Sequence, residues 1–143
     1  MRDARHKDQK ETGPTLLELL LRLEGDFRQR LEPIGVTPLQ AGVLLFLDRH
    51  ADAKLTDAAT ALGVRLPTLS VVVKALVRKR WMTKRYSVKD RRAVWLQLSR
   101  RGQVLAQRIE DQVRQVRATN EDLPTTGLTQ LHCIPAQLKE ASS

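Results

Sequence analysis

Lys89, Asp90, Arg91 and Arg92 stand together in the stretch YSVKDRRAVWLQLS, one acid among three bases. Clustered cations suit phosphates, and a guanidinium such as that of Arg92 suits a narrow minor groove, where negative potential concentrates. A carboxylate two residues away, Asp90, could hold that guanidinium still by a planar two-bond pairing. A second group lies upstream in VRLPTLSVVVKALVRKR. On a helical wheel Leu69, Val72, Val73, Leu76 and Val77 share one arc, whereas Pro67, Ser70, Val71, Lys74 and Arg78 share the other, with Thr68 near the N-terminal end. Hydroxyls, amide nitrogens and cations without any acid are the groups that reach phosphates and base edges in a major groove. Arg65 adds a cation just before this helix, and Arg100 and Arg101 add two more after the hairpin. Those two fall in the first turn of a helix, where the dipole disfavours cations, so a nearby phosphate is the expected compensation. The plainer readings are a solvated hairpin tip with a weak ion pair and a solvated basic helix face.

These groups need elements to hold them. Thr15 caps an expected helix in which Leu16, Leu19, Leu20, Leu23, Phe27 and Leu31 recur at three- and four-residue steps, ended by Pro33 and Gly35. Its apolar surface exceeds what one neighbour covers, which points to a partner chain. Thr37-Pro38 opens a second helix, expected to end by His50, with Leu39, Val43, Leu44, Phe46 and Leu47 inward. After a polar link, ADAK, an Ala-rich helix from Thr56 to Leu62 closes at Gly63, and the basic helix follows from Pro67 to Arg80. Two helices about a tight Gly turn make a helix-turn-helix, with Ala58 and Ala59 small enough for a close crossing. Trp81 to Leu98 predicts a hairpin, because Val94, Leu96 and Leu98 alternate with Trp95 and Gln97. Ser99 then caps a last long helix with a stripe of Val104, Leu105, Ile109, Gln112, Val113 and Val116 up to about Ala118. Beyond it, one short helix and a kink at Pro135 are expected.

Composition narrows the classes. The chain has 143 residues and a net charge of +9, enough for one core and suited to a polyanionic partner. From Lys54 to Gly102 there are 13 Lys and Arg against only Asp57 and Asp90, so the positive charge belongs to the central segment. No apolar run approaches the roughly 20 residues a membrane span needs, and MRDARHKDQKETG lacks a secretory apolar core, so a soluble cytoplasmic protein is expected. One cysteine, Cys133, cannot build a disulfide framework or a zinc cage. His6, His50 and His132 are far apart, and neither a nucleophile motif nor a Gly-rich phosphate loop is present, so no enzyme and no cofactor is expected. Asp48, His50 and Asp52 read as a solvated helix end rather than a metal site. Only Phe27, Phe46, Trp81, Tyr86 and Trp95 are aromatic, mostly on core faces by period, which argues against an RNA-stacking platform.

In order and spacing, LTDAATALGV, PTLSVVVKAL, KDRRA and LQLSRRGQVL resemble the helix-turn-helix, the Asp-x-Arg wing and the last-helix start of the MarR family of bacterial winged-helix regulators. The similarity covers roughly residues 15–117. It implies a mainly α fold with a small β-hairpin: a winged helix-turn-helix flanked by N- and C-terminal dimerisation helices. The corresponding units are a mobile arm at 1–14, a dimerisation helix at 15–36, the DNA-binding domain at 37–98 and C-terminal dimerisation helices at 99–143. The resemblance further implies a homodimeric repressor on a pseudo-palindromic double-stranded operator, relieved by a small amphipathic effector between the two parts. Dimer contacts then fall to Leu16, Leu20, Leu23, Phe27, Ile109, Val113 and Val116. Two departures stand out. Val71 replaces an Arg common in relatives, which removes a guanine contact and suits a thymine methyl. Arg80 replaces a helix-ending Gly, at the expense of an easy left-handed turn. The alternatives are a basic protein that coats nucleic acid without sequence preference, and a redox-responsive regulator using Cys133 beside His132.

Overall fold

A computed structural model describes residues 15–90 and 92–120. The expected arm at 1–14, Arg91, and the segment holding Pro124, His132, Cys133 and Pro135 lie outside the described residues. Helix α1 spans Leu16–Leu31 and is followed by a 3-10 turn, Glu32–Ile34. Thr15 and Glu18 close its N-terminus as a reciprocal capping box, and the turn stops at Gly35, whose φ is 85°. Helix α2, Pro38–Arg49, starts the same way from Thr37 and Gln40 with Pro38 in the first turn.

Next come β1 (Ala53–Lys54), α3 (Leu55–Leu62), α4 (Leu66–Arg78), β2 (Met82–Tyr86), β3 (Val94–Leu98) and α5 (Arg100–Thr119). The axes of α3 and α4 turn by 114° across Gly63, which takes a left-handed φ of 66° that a side chain would strain. Ala58 and Ala59 are buried at this crossing. The sheet is antiparallel with β3 in the middle, so the hairpin gains a third strand from the segment read as a polar link. Ala53 lies opposite Leu96 and Lys54 opposite Trp95, whereas Met82 lies opposite Leu98.

The core joins the helices to one face of this sheet. Leu44, Leu69, Leu76, Leu96 and Ile109 are each 0% exposed, and each such side chain contributes roughly 1.5–3 kcal/mol by its removal from water. Helix α5 packs against α2 and α1. Polar contacts fix α1 to α5 at their far ends: Arg30 Nη1 donates to Gln115 Oε1 (2.8 Å) and Asn120 Nδ2 to Asp26 Oδ2 (3.2 Å).

Some expectations change. Ile109 and Val116 are 0% and 1% exposed within the single chain, so its own packing takes up two residues expected at a dimer contact. Val104 is exposed, because Gly102, Leu105, Ala106 and Ile109 form the inward stripe of α5 instead. Tyr86 is exposed rather than on a core face. No single described helix is long and apolar enough to cross a membrane.

Candidate nucleic-acid interface

Helix α4 presents its two arcs much as the wheel predicts. Leu69, Val73 and Leu76 are buried, Val72 and Val77 are half-buried, and Pro67, Thr68, Val71, Lys74 and Arg78 are exposed. Ser70 is only half-buried and sits at the margin of the outer stripe. Residue 67 is in the first turn of the helix, and Arg65 stands at the N-cap without a side-chain cap bond. The leading amides of α4 therefore keep their donors available to an outside acceptor.

The end of α4 is tied down firmly. The helix stops at Arg78, two residues before the expected end, and Arg80 takes a left-handed φ of 63°. For a residue with a Cβ this conformation is strained, and it persists because neighbours hold it. Ser99 Oγ donates to the Arg80 carbonyl (2.7 Å), Ser99 N–H to the Trp81 carbonyl (3.0 Å), and Gly102 N–H to Ser99 Oγ (3.1 Å). A Cβ on Gly102 would stand 1.9 Å from the Trp81 oxygen, so only glycine allows α5 to start so close to the end of α4. Lys79 completes the joint, with Nζ 4.7 Å from the centroid of Trp81 and 3.4 Å from the Gly35 carbonyl.

At the wing, Ser87 N–H donates to the Ala93 carbonyl (3.1 Å) and Ala93 N–H to the Asp90 carbonyl (3.0 Å). The Asp90 carboxylate accepts the backbone N–H of Arg92 at 3.0 Å, and Ser87 Oγ accepts that of Asp90 at 3.3 Å. The expected pairing with the Arg92 guanidinium is thus replaced by an Asx-type turn, in which the short side chain satisfies a backbone donor two residues on. Asp90 shapes the loop, and the Arg92 side chain is left exposed.

The central cations fall into two sets. Lys54 and Lys84 lie over Trp95 and Tyr86 at 5.3 and 5.6 Å from the ring centroids, Lys79 is held as described, and Arg85 pairs loosely with Asp52 at 3.9 Å. By contrast Arg65, Lys74, Arg78, Arg80, Lys89, Arg92, Arg100 and Arg101 are exposed and carry no ion pair among the described residues. Apart from Arg80, in the turn after α4, the second set coincides with the candidate site, on the basic helix and its N-cap, the wing or the start of α5. Behind the joint, Ile34, Trp81, Arg100, Arg101, Val104, Leu105 and Arg108 line an open cavity of about 400 Å³. Neither Trp81 nor Arg108 was signalled by sequence pattern as part of a site. Among the described residues no three His, Cys, Asp or Glu side chains gather into a metal site.

A sequence model of the MarR family matches residues 34–93, the stretch from the 3-10 turn through the wing. The HTH-type transcriptional repressor MdtR of Bacillus subtilis (strain 168) is 27% identical over 90 residues, spanning 63% of this chain and 58% of its own. Over residues 34–93 the chain resembles the MarR family. It thus spans less than two thirds of this curated relative. Among solved MarR-fold structures, the transcriptional repressor CouR, bound to a 23-mer DNA duplex, is 28% identical with a TM-score of 0.70, covering 87% of this chain and 89% of CouR. BpsR of Bordetella bronchiseptica, whose DNA binding is regulated by 6-hydroxynicotinic acid, shares the fold at 22% identity and a TM-score of 0.70, over 90% of this chain and 96% of its own.

Proposed function

We propose that the chain is a sequence-specific double-stranded DNA-binding transcriptional regulator, a dimeric repressor whose α4 enters the major groove while Arg92 reaches the flanking minor groove and Lys89 and Arg91 meet phosphates. The observation that carries this reading is the sorting of cations. Lys54, Lys79, Lys84 and Arg85 are occupied within the chain, whereas the described cations on α4, the wing and the first turn of α5 have no ion-pair partner among the described residues. Phosphates would satisfy them, with Arg65, Arg100 and Arg101 on the backbone and Thr68 and Ser70 near base edges. Similarity to the repressor MdtR and to the DNA-bound repressor CouR supports repression rather than catalysis.

Dimerisation is supported by the apolar surface left on α1. Leu16, Leu17, Leu20 and Leu21 are 74%, 65%, 55% and 58% exposed, a patch that a second copy would cover. Leu23, Phe27 and Val113, expected at the same contact, are half-buried, Phe27 and Val113 against the chain's own core. A two-fold pair presents two copies of α4, and two grooves one helical turn apart, about 10 base pairs, call for a pseudo-palindromic operator.

The cavity behind the joint suits a small amphipathic effector carrying a negative charge, since arginines and apolar side chains line it together. A ligand pressing on Trp81 acts on the residue next to the strained Arg80, and so on the end of α4. BpsR, regulated by 6-hydroxynicotinic acid, is a relative with that chemistry.

Footprinting tests the main reading. The full chain, on duplexes selected for binding, should protect two patches about 10 base pairs apart and leave random duplex unprotected at moderate salt. Equal protection of both would mean a basic protein that coats DNA without preference.

A further inference from the structure

Val71 is 68% exposed, yet it is a branched apolar side chain in the middle of a basic surface. Pro67 lies one turn before it and Lys74 and Arg78 follow at three and seven residues, all exposed, with Thr68 alongside. The hydrophobic side of α4 is satisfied elsewhere by Leu69, Val73 and Leu76, so core packing does not require a valine here. An apolar protein or lipid surface would fit Val71 only by bringing Lys74 and Arg78 out of water beside it. The fitting partner is a polyanion that exposes an apolar group between its phosphates. Duplex DNA does so in the major groove, where the thymine C5-methyl is the apolar feature among base edges. Double-stranded RNA does not, because its major groove is too deep and narrow for side chains to read.

Resting on the DNA-binding reading above, we propose that Val71 is a specificity-determining residue that packs on the C5-methyl of one thymine in each half-site. Valine has neither donor nor acceptor, so it discriminates by methyl contact alone. Its χ1 is confined in a helix, which places the two methyl groups with little rotamer entropy left to lose. Thr68, one turn earlier along the outer face, remains free to accept or donate at a neighbouring base edge or phosphate.

Deoxyuridine, which pairs as thymine does but lacks the methyl, supplies the test. Duplexes bound by the full chain are selected from a random pool, and each thymine of the recovered half-site is replaced singly by deoxyuridine. Affinities are then measured for the wild-type chain and for Val71→Ala, an exposed change that leaves the core intact. One position per half-site should weaken wild-type binding about fourfold, the worth of one buried methyl group. Val71→Ala should be indifferent at that position, while both proteins remain sensitive to base changes elsewhere in the half-site. A selected operator whose affinity ignores deoxyuridine everywhere overturns the inference alone, as does a Val71→Ala chain that keeps the same penalty. A pool that yields no preferred sequence overturns the DNA-reading proposal, and this inference with it.

Discussion

Gly102→Ala should destabilise the protein, although alanine is the better helix former by about 1 kcal/mol. The reason lies in the joint between α4 and α5. The added Cβ would stand 1.9 Å from the Trp81 oxygen and 3.0 Å from its carbonyl carbon, with Leu98 Cδ2 at 3.2 Å. An ordinary carbon–oxygen contact is about 3.3 Å or more, so the first turn of α5 must retreat by over an ångström. The Trp81 oxygen already accepts the Ser99 N–H at 3.0 Å, and Ser99 also holds Arg80 at 2.7 Å. Retreat therefore weakens at least one hydrogen bond, about 1 kcal/mol, besides an overpacking cost of roughly 1–3 kcal/mol. After the helix-propensity gain, a net loss of about 1–3 kcal/mol remains, equivalent to roughly 4–12 °C in melting temperature for a chain of this size. Thermal unfolding of Gly102→Ala beside Gln103→Ala, an exposed neighbour on the same turn, measures it. The neighbour should change little. A Gly102→Ala chain that melts at or above the wild type would refute the account of the joint.

Other perturbations separate the remaining roles. Because Asp90 accepts a backbone N–H rather than pairing with the Arg92 guanidinium, Asp90→Asn should keep DNA affinity within about twofold, whereas Asp90→Ala should lose roughly fivefold, about one hydrogen bond; equal losses in a binding titration would restore the charge-pair role. Thr37→Ala removes the cap of α2 and should cost about 1 kcal/mol in urea unfolding, while Thr37→Ser should retain most of it. Replacing both Leu16 and Leu20 by Lys should shift the protein from dimer to monomer in sedimentation; an unchanged dimer would place the interface elsewhere.

Sequence pattern exposed the helix-turn-helix and the wing for different physical reasons. In α4 an apolar arc repeats at helical steps beside an acid-free basic arc, and in β3 Val94, Leu96 and Leu98 alternate with Trp95 and Gln97, so each period is visible within its own segment. Strand β1 escaped because two residues carry no period and its partner, Leu96 opposite Ala53, is remote in the chain. The helix stop at Arg78 was likewise hidden: basic residues continue through Arg80, and the left-handed turn is held by Ser99, again far along the chain. Spacing alone allowed Asp90 to reach either the guanidinium or the amide of Arg92, and only the shape of the loop chooses between them. An apolar stripe also says nothing of which chain covers it, which is why Ile109 and Val116, expected at a partner, belong to the interior while Leu17 and Leu21 join the open patch.

The central claim is that the unpaired cations and the outer face of α4 read sequence in duplex DNA. Its most direct test is the ratio of dissociation constants for a selected operator and for random duplex, measured by competition at fixed, near-physiological salt. A sequence-reading regulator predicts a ratio of about a thousandfold or more. A ratio near one, with both affinities falling together as salt rises, would contradict it.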